Sequence, residues 1–314
     1  MDFSRPRQAA RYLFSVLFLL VLTSCGFSTH LPSGGSTGPQ HIQNVFIIMM
    51  ENHNWTGAGA NSIQNNPNAP YINNTLIPMG AHASNYNNPP HMHPSLPNYL
   101  WLEAGTNFGI LNDGPATVHS QSTTLHLVTL LKNAGISWKA YDEGTDGSQC
   151  LFIHWHVPFV FFDDVTNNLD PHSPYCISHI RPFSEMYNDL ATNNTARYTF
   201  IVPNDCHSMH SPCNGGNQIA QGDEWLSQIV PQILASTAYK NGGVLFIIWD
   251  EARKGDGPVP FIVLSPFVKP GYTNNIYYNH GSTLRTVEEI FGVQPILRDA
   301  ATETDLSDLF KQFP

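Results

Sequence analysis

Four short segments of this 314-residue chain carry the residue types that hydrolytic chemistry needs. Glu51 and Asn52 follow the apolar run VFIIMM, Ser95 sits in HPSLPNYL, Asp250 and Glu251 follow LFIIW, and His280 sits in YNHGST. Three carboxylates, an amide and a hydroxyl are hard oxygen donors of the kind that hold Ca²⁺, Mg²⁺ or Mn²⁺, and added imidazoles shift the preference toward Zn²⁺ or iron. A serine hydroxyl is a weak nucleophile at neutral pH, and a divalent cation beside it favours the alkoxide. The set points to cation-assisted attack of Ser95 on a phosphate ester.

Each segment falls where a buried strand gives way to a loop or helix, which is where open α/β sheets place ligands. Strands are predicted at Val45 to Met50, Trp138 to Tyr141, Tyr198 to Val202, Val244 to Trp249 and Phe261 to Leu264, mostly as continuous apolar runs of the buried parallel type. Helices are predicted at Leu96 to Ala104, Thr124 to Ala134, Asp223 to Tyr239 and Thr283 to Phe291, three of them closed by a glycine. The alternation implies an α/β fold: a central, mostly parallel sheet flanked by helices on both faces. The helix opening near Leu96 would offer free N–H groups and its dipole to the attacking oxygen and to phosphoryl oxygens. The aromatic, irregular stretch from Gly144 to Pro182 reads as a lid or a wall of the cleft.

Arg5, Arg7 and Arg11 precede the apolar run YLFSVLFLLVL and then LTSC, the pattern of a secretory signal over residues 1–24. LTSC also resembles a bacterial lipobox, which predicts a lipidated Cys25, a flexible tether over 25–40 and a single domain over 41–314. The expectation is an exported lipoprotein, periplasmic or at the cell surface, held to the membrane by its lipid anchor. Formal net charge is −10, and removing three Arg with one Asp makes the mature chain more acidic, which argues against a nucleic-acid partner. Apolar residues make up 41% of the chain, enough for one sizeable core. Cys150, Cys176, Cys206 and Cys213 are an even set in an exported chain, and pairing in sequence order is the simplest of three connectivities. Zinc binding by these cysteines is the weaker alternative, since no CxxC spacing occurs.

In order along the chain, VFIIMMENHNWTG, HPSLPNYLWLEAG, GISWKAYDE, PNDCHSMH through GDEWLSQIVPQIL, LFIIWDE, and VPFIVLSPFVKPG with YNHGSTLRTVEEIFG resemble the successive blocks of the phosphoesterase family. That family contains bacterial acid phosphatases and phosphatidylcholine-type phospholipases C, within the alkaline phosphatase superfamily. The resemblance implies an alkaline phosphatase-like fold and a phosphoseryl mechanism with Ser95 as nucleophile. It implies one metal ion held by Glu51, Asn52, Ser95, Asp250 and Glu251, and substrate-cleft histidines at His207, His210 and His280. His280 is the first choice as general acid; Asp205, His210 and His280 are the alternative second metal site.

Each residue has a plainer reading. Ser95 before a proline-containing helix start is, taken alone, a helix cap, and Asp250 with Glu251 are solvated loop carboxylates. The ordered recurrence of six blocks outweighs these. Departures at ENHNWTG, at PNY and at DEARKGDG, which lacks an acid-His-Gly-Gly continuation, leave substrate choice open and favour a phosphomonoesterase acting on small phosphate esters. Phospholipase C-type cleavage at phospholipid headgroups is the alternative, and a non-catalytic surface protein that captures phosphate-bearing ligands is the alternative from another class.

Overall fold

The computed structural model describes residues 41–57, 59–151 and 156–314. The predicted signal segment, Cys25 and the tether lie outside the described residues. Eight strands form one sheet: β1 (Asn44–Met50), β2 (Ala81–Ala83), β3 (Trp138–Asp142), β4 (Ile180–Pro182), β5 (Tyr198–Val202), β6 (Gly243–Trp249), β7 (Phe261–Leu264) and β8 (Tyr272–Asn274). Their order is β4-β3-β5-β1-β6-β7-β2-β8. Strands β4, β3, β5, β1 and β6 run parallel, and β1, β5 and β6 at the centre are mostly apolar and buried on both faces, as parallel sheets require.

Strand β7 departs from the parallel expectation: it is antiparallel to both β6 and β2. Only residues 250–260 join β6 to β7, too few for the crossover that a parallel neighbour needs. Three strands that the sequence reading did not predict, β2, β4 and β8, have three residues each, too short to show a periodicity.

Five longer helices flank the sheet: α1 (Ser95–Ala104), α2 (Leu127–Asn133), α3 (Phe183–Thr192), α4 (Gln218–Ala235) and α5 (His280–Phe291). Helices α1, α2 and α5 pack on one another, and α3 packs on α4. Helix α4 starts five residues before the predicted Asp223 because Asn217 caps it, accepting from the Ala220 N–H at 3.0 Å. Helix α5 starts at His280, three residues early, behind a capping box of Asn279 and Ser282. Helix α2 starts late, since His126 at its N-cap position buries its side chain between Glu103 and Asp164.

The predicted lid is largely core. Phe159, Phe161 and Phe162 are fully buried, and the Cys150–Cys176 disulfide ties the segment together. The second disulfide joins Cys206 to Cys213. No helix among the described residues is long and apolar enough to cross a membrane.

Candidate active site

The site is built at the carboxyl ends of β1 and β6. Their register pairs Met50 with Trp249, so the next residues, Glu51 and Asp250, leave the sheet side by side. Asn52 adopts a left-handed backbone (φ 54°), a conformation asparagine tolerates, and its N–H donates to Asp250 Oδ1 at 3.0 Å. Both acids are fully buried.

Ser95 is the first residue of α1. The N-cap position belongs to Pro94, which has no polar side chain to cap with, and the Ser95 hydroxyl is not spent on backbone. It donates to Glu51 Oε2 at 3.1 Å. The Leu96 N–H, one of the helix-start donors expected to meet substrate, donates instead to Asp113 Oδ1 at 3.0 Å.

Burial, and then the adjacent Asp250 charge, hold the Glu51 carboxyl well above the usual range. Burial, then the Glu251 charge, pushes Asp250 up to about 7. Asp250 Oδ2 is buried with no hydrogen-bond partner among the described residues. The Asn52 amide Nδ2 donates to Glu51 Oε2 at 2.9 Å, the same oxygen that accepts from Ser95, so Glu51, Asp250 and the Ser95 hydroxyl are hard oxygen donors of a kind that fits a divalent cation, with the Asn52 amide beside them. Among the described residues, however, no three His, Cys, Asp or Glu side chains form a group that could hold a metal ion by themselves. A cation here would need the serine hydroxyl and the asparagine amide as well as the two acids.

Glu251 sits beside this set and faces elsewhere. Its Oε2 accepts from His93 Nδ1 at 2.7 Å and from Asn98 Nδ2 at 3.4 Å. The hydrogen bond to Glu251, more than burial opposes it, raises His93 to about 9, and the ring lies between two carboxylates, Glu251 at 2.7 Å and Asp256 at 3.4 Å.

The expected roles of His280, His207 and Asp205 need correction. His280 is fully buried; its Nε2–H donates to the Asp250 carbonyl at 2.5 Å, and its Nδ1 accepts from the Tyr86 hydroxyl at 3.0 Å. Burial lowers it to about 4, and both ring nitrogens are taken up by these two bonds, so the ring faces Asp250 and Tyr86. His207 pairs with Glu143 at 2.7 Å, and Asp205 is exposed. Asp205, His210 and His280 do not form the alternative second metal group.

Besides His53, the fold brings His156 to Glu51, with Nε2 at 3.3 Å from Oε1, and the exposed His210 to His156, their rings 6.4 Å apart. Tyr99, absent from the sequence-predicted set, donates its hydroxyl to Glu51 Oε1 and stacks on His156. Its spacing of four residues from Ser95 on one helix is the signal that could have found it. His53 is a buried support: its Nδ1–H donates to the Glu51 carbonyl at 2.8 Å, and burial lowers it to about 4.

The chain is 30% identical over 258 residues to a phosphatidylinositol-3-phosphatase of Mycobacterium tuberculosis, covering 80% of this chain and 77% of that one. It is 26% identical over 266 residues to a probable acid phosphatase of Kluyveromyces lactis, covering 79% of this chain but 58% of that one. A phosphate-repressible acid phosphatase of Penicillium chrysogenum matches at 25% over 222 residues, 66% of this chain and 51% of the relative. The chain therefore spans only a little over half the length of the two fungal relatives. In fold it is similar to a protein of the alkaline phosphatase superfamily from Vibrio parahaemolyticus (TM-score 0.58, 13% identity, 86% of this chain and 72% of that one). It is also similar to a lipoteichoic acid synthase from Listeria monocytogenes (TM-score 0.56, 12% identity, 84% and 77%). The model of the phosphoesterase family matches residues 83–294, a span that runs from before Ser95 to beyond His280. With that span and the mycobacterial relative together, the chain belongs to the phosphoesterase family and is a hydrolase of phosphoric ester bonds.

Proposed function

We propose that this chain is an exported acid phosphatase that moves the phosphoryl group of a small phosphate monoester onto Ser95 and then onto water. The observation that carries the reading is the Ser95 hydroxyl, turned from its helix backbone toward the buried Glu51 carboxylate at 3.1 Å. The names of the three relatives, two acid phosphatases and a phosphatidylinositol-3-phosphatase, support a monoester over a diester.

In this reading Ser95 Oγ attacks phosphorus as the bond to the ester oxygen breaks, and its proton passes along the existing hydrogen bond to Glu51. The leaving alkoxide takes a proton from His210, the exposed imidazole of the pair near Glu51. His156 and Tyr99 hold Glu51 in place from its Oε1 side. Water then attacks the phosphoserine with His210 taking its proton, and as the P–Oγ bond breaks Glu51 returns its proton to Oγ, which restores the serine and frees phosphate. Glu51, Asn52, Asp250 and Ser95 would hold a divalent cation, which when bound favours the serine alkoxide and offsets charge on the phosphoryl oxygens. Glu251 stands outside that set, paired with His93 at 2.7 Å.

Export and lipid anchoring through Cys25 complete the proposal. The Arg-flanked apolar segment and two disulfides support an oxidising compartment. The test is hydrolysis of p-nitrophenyl phosphate by the mature chain across a series of divalent cations. Activity in Ser95→Ala comparable to the parent, with folding intact, would end the proposal.

A further inference from the structure

We propose that a cavity between the Cys206–Cys213 loop and α4 is a subsite for a hydroxyl-rich ring of monosaccharide size, namely the uncharged end of the phosphate ester. This rests on the phosphatase reading and names its substrate class. The cavity, about 540 Å³, is lined by Glu143, Tyr187, His207, Glu224, Trp225 and Gln228 among others. It lies at the carboxyl ends of β3 and β5, next to the ends of β1 and β6. The loop carrying His207 also touches the active site, since Ser208 O accepts the Glu51 N–H at 2.8 Å.

Its walls are fixed before any ligand arrives. Glu143 accepts from His207 Nδ1 at 2.7 Å, from the Asn204 N–H at 2.9 Å and from Trp225 Nε1 at 3.1 Å. On the opposite side the Cys206–Cys213 disulfide closes the loop, and the Gln221 amide clamps Cys213 by accepting its N–H at 3.0 Å and donating to its carbonyl at 2.9 Å. Gln221, Glu224, Trp225 and Gln228 recur at helical spacing, so one polar stripe of α4 forms a wall.

The lining selects by charge and by donor pattern. No Lys or Arg lines the cavity, while two carboxylates do, so a phosphate group is repelled from it. An aromatic cage for an organic cation is not assembled: Trp225 is 5% exposed and stacked by His207 at 5.8 Å, which leaves the single ring of Tyr187, 41% exposed, in the lining. Glu143 already holds three donors. What remains for a ligand is His207 Nε2, the exposed Glu224 carboxylate, the exposed Gln228 amide and the Tyr187 hydroxyl, a spread of single donors and acceptors suited to several ring hydroxyls.

The test uses two readouts on the mature chain and on Glu224→Ala and Gln228→Ala. Saturation-transfer NMR with methyl glucoside and with myo-inositol should show binding by the parent that weakens in both variants, and whichever ring saturates identifies the source. The ratio of kcat/KM for the matching ring phosphate over p-nitrophenyl phosphate should fall about tenfold in each variant, the loss expected for one hydrogen bond. Saturation of neither ring, saturation by choline instead, or an unchanged ratio would overturn the proposal. Ring binding in a protein that hydrolyses no ester would uphold the cavity while sinking the phosphatase reading.

Discussion

Replacing His280 with alanine separates positioning from acid catalysis. The imidazole is fully buried and bonds the Asp250 carbonyl at 2.5 Å and the Tyr86 hydroxyl at 3.0 Å. Its loss leaves a buried carbonyl and weakens a buried hydroxyl, at about 1–3 kcal/mol each before the cavity is counted. A total of about 4 kcal/mol is the reasonable scale, a fall in melting temperature on the order of 10 °C for a domain of this size. Because Asp250 loses its support, turnover should fall about 10–100-fold, the usual scale for removing a group that orients a site's ligands. That fall should be the same for p-nitrophenyl phosphate, whose leaving group needs no acid, and for glycerol phosphate, whose alkoxide does. His210→Asn should behave oppositely, losing on the order of 10²–10⁴ with the alkyl ester and little with the aryl ester. Parallel measurement of both substrates in both variants decides the matter. A selective loss of alkyl phosphate hydrolysis in His280→Ala would refute the assignment and return the acid role to His280.

Tyr99→Phe removes the hydroxyl that donates to Glu51, so Glu51 should hold its proton more tightly and the cation concentration at half-maximal activity should rise about tenfold; an unchanged cation titration would count against Glu51 as a ligand. Asp250 is raised to about 7 in the fold, so its contribution to the cation-free protein is present at acid pH and is lost as pH rises through 7. Melting curves with a chelator should therefore fall between pH 5 and 8, and adding the cation should raise them most at the alkaline end. His126 is fully buried between Glu103 at 2.8 Å and Asp164 at 3.0 Å, so His126→Leu should cost about 3–5 kcal/mol. These partners raise His126 despite its burial, so the cost should be greatest below about pH 6.5 and shrink as pH rises through the folded value; equal melting temperatures for variant and parent would refute it.

The longer strands β1, β3, β5 and β6 were legible because they are mostly apolar or aromatic runs that end in polar residues, and those ends carry Glu51, Asp250 and Glu143. The three-residue strands left no pattern to read. Ser95 and Glu51 lie 44 positions apart, yet the ordered blocks anticipated their meeting. What the order of residues could not show is direction. Asp250 and Glu251 are neighbours in the chain, but the first faces Asn52 and the second faces His93, because consecutive side chains diverge as the strand ends. His280 was legible as a residue near Asp250, whereas the saturation of both its nitrogens depends on Tyr86, a tyrosine in a loop 194 positions away. His156, one of two histidines in the run FIHWHVPF, carried no sign in the sequence of its place beside Glu51.

The central claim is that Ser95 carries the phosphoryl group. Acid-quenching the mature protein during turnover of a phosphate monoester and locating the adduct by peptide mass spectrometry tests it directly. The account predicts phosphate on Ser95, absent in Ser95→Ala; phosphate on a histidine, or turnover by Ser95→Ala at the parent rate, would contradict it.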